Sequence, residues 1–452
     1  MPSTRTQTRD TRRKFHSTAI TAAVTMSGIA VAAPPPSKRI TLGIIGCGSR
    51  GFNLIDDFLR LPGCDITAVC DVDELHHRDR PWGTGNKFGR IPAQEKVHRF
   101  YQHSILKRAS RNVATYADYR ELLERADIDA VVIATPDHWH ALCTLEALES
   151  GKDVYCEKPV THLFAEGQAV VARVNQHKAV FQTGSQQRSA PEFQTLVELC
   201  RNGVLGDITS VEVGLPAGYP KPMGSTVVVP PRTSLDYDFW CGPSQVLPLM
   251  QARHHRWWRG HRAYGGGVLM DWIGHHNDIA HWAIGMERSG PVRVSAVDWT
   301  FPETKVYNSP HQYTIHCEFS NGVVSTISTR NRGGLKITGT NGWVFANRGK
   351  LEASHPEWLT KSFDPGPWKI SSTGTHAQNF LDCIRSREEC IAPAEIAHRS
   401  ITPGHLGFVS NTLQTSLTWD PVTETITNSA EADSLLKIVN YRQPWKFNNP
   451  DA

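Results

Sequence analysis

Two groups of residues in this sequence have types and spacings that can do chemistry. The first is Gly46-Cys47-Gly48-Ser49-Arg50-Gly51, a GxGxxG hexapeptide. In a strand-to-helix turn, Gly46 permits the sharp turn, Gly48 lets the backbone approach a pyrophosphate, and Gly51 lets the helix pack close to the strand. The first amides of that helix, near Ser49, then face the phosphates, and Arg50 can add a charge-assisted contact. Asp71 closes the next apolar run, about 20 residues on, where an acid takes the adenosine ribose hydroxyls of a dinucleotide. Asp73 is a second candidate for that acid. A carboxylate there repels a 2′-phosphate, which favours NAD over NADP. The second group is Asp271 and His275. Residues i and i+4 share a helix face, where a carboxylate can orient an imidazole and tune it as a base. The same spacing occurs in ordinary surface pairs, but Trp272, Ile273, Trp282 and Ile284 argue for a buried helix.

The elements needed to position these groups follow from the apolar pattern. Ile40–Ile45, Asp65–Cys70, Ala114–Tyr116, Asp129–Ala134 and Lys152–Cys156 read as strands and alternate with helical segments, the pattern of a doubly wound parallel sheet. Ligands gather at the C-terminal ends of such strands. Thr135-Pro136-Asp137-His138-Trp139-His140 and Glu157-Lys158-Pro159 lie at two of these ends. From Gly206 onward the pattern changes to strands joined by turn residues. Asn321-Gly322 and Asn341-Gly342 are hairpin signals, and a large, mostly antiparallel sheet is expected. Residues 394–410 read as a helix interrupted at Pro403-Gly404. The chain is therefore α/β, with an N-terminal Rossmann domain over 38–160 and a C-terminal α/β domain for substrate and oligomer contacts over 161–452.

Bulk properties narrow the classes. A net charge of +4 over 452 residues leaves no nucleic-acid footprint. The ten cysteines form no CxxC pair and no HExxH occurs, so no metal site is expected and buried free thiols are. Arg12-Arg13 precede a modest apolar run ending in Ala30-Val31-Ala32. This reads as a Tat export signal over residues 1–33, with a periplasmic destination and no stable membrane span. A periplasm offers no obvious nicotinamide pool, so a tightly held, recycled cofactor is expected.

Taken in order, GCGSRG, ATPDHWH and EKP resemble the glucose–fructose oxidoreductase / inositol dehydrogenase / MocA family. So do Gly184 to Arg188, Gly265 to His276 and His376 to Asp382. The resemblance implies that Lys158 lies beside the nicotinamide and the reacting hydroxyl, with Asp271 and His275 as its catalytic partners. It adds Thr135, Pro136, His138, Trp139, His140, Glu157 and Lys158 to the cofactor contacts. Lys158, Arg188, Asp271, His275, His276 and His376 are the expected substrate contacts. His275 is the preferred base, with relay through Lys158 as the alternative. Trp257-Trp258 read either as a carbohydrate-stacking loop or as packing. The implied protein is a homodimer or homotetramer that moves a hydride between a nicotinamide cofactor and a secondary hydroxyl of a sugar, glycoside or cyclitol. The alternative is an NAD-dependent glycoside hydrolase or lyase working by transient oxidation and elimination.

Overall fold

A computed structural model describes residues 39–78, 83–103, 112–371 and 374–447. The export segment expected at residues 1–33 lies outside them. Strands β1 (Ile40–Ile45) and β2 (Cys64–Cys70) are buried along their whole length, as suits strands of a parallel sheet covered on both faces. A ribbon of β3 (His76–His77) and β4 (Lys87–Phe88) and helix α2 (Arg90–His103) follow. Then come β5 (Ala114–Tyr116), α3 (Tyr119–Leu123), β6 (Ala130–Ile133), α4 (Asp137–Glu149), β7 (Asp153–Cys156), α5 (Phe164–His177) and β8 (Phe181–Thr183). The first sheet has the order β5-β2-β1-β6-β7-β8, and every pairing in it is parallel. The order reverses direction at β1 and β6, which is where such sheets bind ligands. Helix α1 (Ser49–Leu59) turns Leu54, Ile55, Phe58 and Leu59 onto this sheet, the spacing of one helix face.

The second half begins with α6 (Pro191–Arg201), β9 (Ile208–Gly214), α7 (Tyr237–Cys241) and α8 (Gly267–Ala283). Strands β10 (Pro291–Thr300), β11 (Gln312–Phe319), β12 (Val324–Ser328), β13 (Gly334–Gly339), β14 (Gly342–Asn347) and β15 (Lys350–Ala353) follow. Helices α9 (His376–Ser386) and α10 (Ala394–Leu413), strands β16 (Leu417–Asp420) and β17 (Thr425–Ile426), and α11 (Ala430–Leu436) complete the order. The nine-stranded sheet runs β15-β14-β13-β9-β12-β11-β10-β16-β17. Its pairings are antiparallel except β9 with β12. Val213, Ile315, Ile327 and Ile337 form part of its buried face, while Glu318 and Val324 are exposed. That alternation is the signature of a sheet packed on one side.

Two details bear on the sequence reading. Both hairpin signals sit at turns, and Gly322 adopts φ +84, a value that suits glycine. The interruption expected at Pro403 is absent, because α10 runs through it. Pro403 cannot donate to the carbonyl one turn back, but Thr402 donates its hydroxyl to the His398 carbonyl at 2.9 Å. Gly404 lies against Met270 of α8, so packing between the two helices outweighs the missing bond. Helix α9 buries Ala377, Phe380 and Leu381 in the core shared with β1 and α1. The late part of the chain therefore braces the first sheet.

Candidate active site

The nucleotide end is built by the β1–α1 turn. Gly46 has φ +91, and a Cβ there would lie 2.6 Å from the backbone carbon of Ala134. A Cβ on Gly48 would meet nothing, which leaves space above the turn. Gly51 sits directly under the Gly46 carbonyl, where a side chain would collide, and it does not line the cavity itself. The cavity has a volume of about 310 Å³, within the range of small-molecule pockets. Gly46, Gly48, Ser49, Arg50, Asp71, Thr135, Pro136, Trp139, His140, Glu157 and Lys158 line it, all sequence-derived candidates.

Several of its polar atoms await a partner. Arg50 donates Nε to Glu157 at 2.7 Å, while its Nη2 is buried with no protein partner. The Thr135 hydroxyl is orphaned in the same way. Buried polar groups are normally satisfied, so these atoms fit a polar ligand such as the expected dinucleotide. Asp71 accepts from the amides of Cys47 at 2.8 Å and Asp73 at 2.9 Å. Burial outweighs those bonds and pushes its carboxyl up to about 6. Asp73 is buried and turns instead to Arg232, 2.7 Å away.

The histidines of the DHWH segment act as ties. His138 sets its two ring nitrogens against the carbonyls of Tyr264 (3.1 Å) and Trp240 (3.0 Å). His140 does the same with Pro159 (2.7 Å) and Thr135 (3.0 Å). Burial holds each near a pKa of about 4, so both are neutral and each donates to only one of its two carbonyls. His140 reaches the cavity wall, whereas His138 lies behind it.

At the other end, Lys158 leaves β7 and points at α8. Its Nζ donates to Asp271 Oδ1 at 2.5 Å and to the Asp271 carbonyl at 3.2 Å. Arg259 approaches the same carboxylate at 3.1 Å and Asp137 at 3.5 Å, with its guanidinium 4.0 Å from the centre of the Trp258 ring. Burial alone would raise the Asp271 pKa, but Arg259 and then Lys158 bring it below the usual carboxylate range. The expectation that Asp271 orients His275 is therefore replaced, because this carboxylate is spent on two cations. His275, one turn on, is 6% exposed and its Nδ1 has no partner. Burial, then Lys158, holds its pKa well below the ordinary value, so it is a neutral imidazole. It borders a second cavity with Lys158, Asp271, Trp272 and Arg348. Lys158 and Asp271 line both cavities.

Three of the expected substrate contacts lie elsewhere. Arg188 makes a two-pronged ion pair with Asp278 at 2.7 and 2.8 Å, with both side chains almost fully buried. His276 packs between Trp272 and Phe193. His376 bonds the Ser189 hydroxyl at 2.9 Å and the Thr183 carbonyl at 2.7 Å, which ties α9 to β8. None of the three borders either cavity. Conversely, Arg259, Arg78 and Arg348 were not among the candidates. Arg78 lines the first cavity and donates to the Ser49 hydroxyl at 2.8 Å. The only sequence signal near Arg259 is the tryptophan pair beside it; both rings are buried, and Trp258 also lines the first cavity while Trp257 does not.

A parallel sheet with a glycine turn at its switch point, facing an ionic cluster at the strand ends, defines a dinucleotide-binding protein of oxidoreductase type. The profile described as oxidoreductase family, NAD-binding Rossmann fold, matches residues 40–185. The profile for the C-terminal alpha/beta domain of the same family matches residues 192–447. The chain belongs to the glucose–fructose oxidoreductase / inositol dehydrogenase / MocA oxidoreductase family. It is 29% identical over 170 residues to the uncharacterized oxidoreductase YrbE of Bacillus subtilis, covering 38% of this chain and 42% of that one. It is also 29% identical over 178 residues to glycosyl hydrolase family 109 protein 1 of a Shewanella species, covering 38% and 34%. The matched stretches thus span less than half of these curated relatives. Among solved structures, the WlbA dehydrogenase from Bordetella pertussis, in complex with NADH and UDP-GlcNAcA, superposes with a TM-score of 0.57. That match is 18% identical and covers 84% of this chain and 98% of the other. It is a likeness of fold. Among the described residues, no helix is long and apolar enough to cross a membrane.

Proposed function

We propose that this protein is an NAD-dependent oxidoreductase that moves a hydride between a nicotinamide cofactor and a secondary hydroxyl of a sugar, glycoside or cyclitol. The observation that carries this reading is the sharing of Lys158 and Asp271 by two adjoining cavities. One cavity has the glycine turn and the other has His275 and Arg348. Bound dinucleotide supplies the hydride acceptor. It would be held by the β1–α1 turn, Arg50, Asp71 and the Thr135–Pro136 strand end. Lys158 presents an ammonium to the substrate oxygen and stabilises its alkoxide character. Asp271, anchored by Arg259, fixes the direction of that ammonium. His275 is neutral, with Nδ1 unclaimed, which supports it as the acceptor of the hydroxyl proton; relay through Lys158 is the second route. Asp71 favours NAD over NADP by repelling a 2′-phosphate.

The twin-arginine segment supports export, and export supports a cofactor that stays bound and is recycled on the enzyme. The one-sided nine-stranded sheet supports a homodimer or homotetramer. The family 109 glycosyl hydrolase relative favours a second reading, in which oxidation is transient and a glycosidic bond is lost by elimination. The test is to denature untreated purified protein, identify the released nucleotide, and then incubate native protein with sugars and aryl glycosides. Bound NAD(H) with accumulation of an oxidised sugar supports the first reading. Aglycone release without net NADH supports the second. Absence of nucleotide together with failure to bind NAD overturns both.

A further inference from the structure

Among the described residues, one group of donors outside the reacting centre converges as metal ligands do. Asp73 follows β2, His76 belongs to β3, and His255 opens the 3₁₀ turn His255–Gly260. One donor atom from each lies within 4.8 Å of the other two. His255 Nε2 is 3.3 Å and His76 Nδ1 is 3.9 Å from the same oxygen, Asp73 Oδ2. Ligands on a tetrahedral ion with bonds of about 2.0–2.2 Å stand roughly 3.3–3.6 Å apart, close to the two distances to Asp73 Oδ2. Two features set the cluster apart from a chance surface grouping. Asp73 and His76 are buried, and His76 Nδ1 has no hydrogen-bond partner. The two imidazoles stack with centroids 3.5 Å apart and planes within 10°; an ion lies near the plane of each ring that binds it, so one ring must turn out of the stack for both to share it. Arg232 reaches Asp73 Oδ2 at 2.7 Å, with its side chain 43% exposed. A solvated arginine there supplies the positive charge that a buried carboxylate needs, and it can swing away.

We propose that Asp73, His76 and His255 form a binding site for a borderline divalent transition cation of the zinc class. Two imidazoles and one carboxylate match that class, and the fourth position is left to water on the cavity side, where His76 and His255 form part of the wall. The ion would clasp the loop after β2 to the turn that carries Arg259. His255 stands four residues before Arg259 in that turn, so the site would fix the arginine that anchors Asp271. No spacing within one segment reveals this site, because His255 lies 179 residues beyond His76 in sequence (255 − 76). That is why the motif-based expectation of no metal is open to this revision.

The test uses the full chain, treated with chelator, dialysed and titrated with Co(II). Visible absorption, bound metal per chain and thermal stability are read. One Co(II) per chain, displaceable by Zn(II), with a raised melting temperature, is the expected result. His76→Asn and His255→Asn should each weaken binding by about ten- to a hundredfold or more. Arg232→Ala keeps every ligand and removes the competing cation, so it should bind Co(II) at least as tightly as wild type. Wild type that binds no Co(II) up to millimolar concentration, or binds it as His76→Asn and His255→Asn do, overturns the site. Weaker binding by Arg232→Ala does the same. Because metal content, absorption and stability need no turnover, failure of this proposal is distinct from failure of the proposed reaction.

Discussion

Helix α8 carries two aspartates two turns apart, each paired with a cation, and the pairs have opposite characters. Asp271 meets Lys158 and Arg259 at the wall of both cavities, with its side chain 20% and that of Lys158 14% exposed. Asp278 meets Arg188 with 1% and 2% exposed, and the guanidinium is also capped by the Trp282 ring at 4.6 Å. Sequence reasoning grouped residues of both pairs as possible substrate contacts. The open pair keeps a charge where a substrate can reach it. The sealed pair fixes β8 and its following turn to α8, and its charges answer only each other. The two carboxylates of one helix thus differ in solvent access, and in the proposed reading the open pair reacts while the sealed one holds the fold.

The comparison breaks first at Lys158. Lys158→Ala should lower the rate of cofactor reduction on the order of 10³–10⁴-fold, or about 4–5.5 kcal/mol, with little change in melting temperature. Steady-state rates alongside thermal melts check it, and near-normal turnover would remove Lys158 from the mechanism. Arg188→Met should do the reverse. It strands the buried Asp278 carboxylate at a cost of about 3–5 kcal/mol in stability, while activity per folded molecule changes little. Burial already raises the Asp278 pKa against the pull of Arg188. Without the arginine the folded-state pKa rises further, so the folded variant takes up a proton before the unfolded chain does. Its deficit should therefore shrink as pH falls toward the ordinary carboxylate value and grow as pH rises. Arg188→Met combined with Asp278→Leu should recover much of the loss. If Arg188→Met instead raised KM with stability intact, the pair would not be sealed in solution.

Arg259 sharpens the contrast within the open pair. Arg259→Met leaves Lys158 alone with Asp271 and removes the largest influence lowering the Asp271 pKa. Turnover should fall about ten- to a hundredfold, or about 1.4–2.8 kcal/mol. The acid limb of its pH–rate profile should move to higher pH, because a carboxylate with fewer cations protonates sooner. A uniform loss of rate with an unmoved acid limb would assign Arg259 to packing.

Legibility in the sequence followed locality. The glycine turn was readable because strand, turn, helix and following acid lie within about 30 residues of one βαβ unit. Asp271 and His275 were readable as neighbours because a helix fixes their spacing. What sequence could not give was direction and convergence. Nothing in the residues around Arg188 says that its guanidinium turns inward to Asp278, or that His376 closes on Ser189 across nearly half the chain. Arg259 and Arg348 reach the site from an irregular segment and a hairpin turn, where no periodicity forecasts a side chain's aim. Pro403 erred the other way, because a strong local rule yielded to packing between α8 and α10.

Asp71 tests the smallest effect and falls between the two pairs, since it is half-buried, borders the cavity and meets Arg90 only through its backbone carbonyl, at 3.0 Å. Burial first, countered by the amides of Asp73 and Cys47, leaves its pKa at about 6. In the proposed reading it is, above that pH, a carboxylate that would accept ribose hydroxyls and repel a 2′-phosphate; below it, the repulsion would disappear. A raised acid pKa also means that Asp71 favours the folded state below its unfolded value and loses that contribution as pH rises through about 6. The affinity ratio of NAD to NADP should therefore be higher at pH 8 than at pH 5, by about tenfold or about 1.4 kcal/mol. A 2′-phosphate loses charge in the same range, so the ratio alone is ambiguous. Asp71→Asn separates the causes, because its own pH dependence comes from the phosphate. Wild type and Asp71→Asn should differ at pH 8 and converge at pH 5 when NAD and NADP affinities are measured by calorimetry. A gap of equal size at both values would show that Asp71 stays charged throughout, and would place it with the open pair at Lys158 rather than between the two.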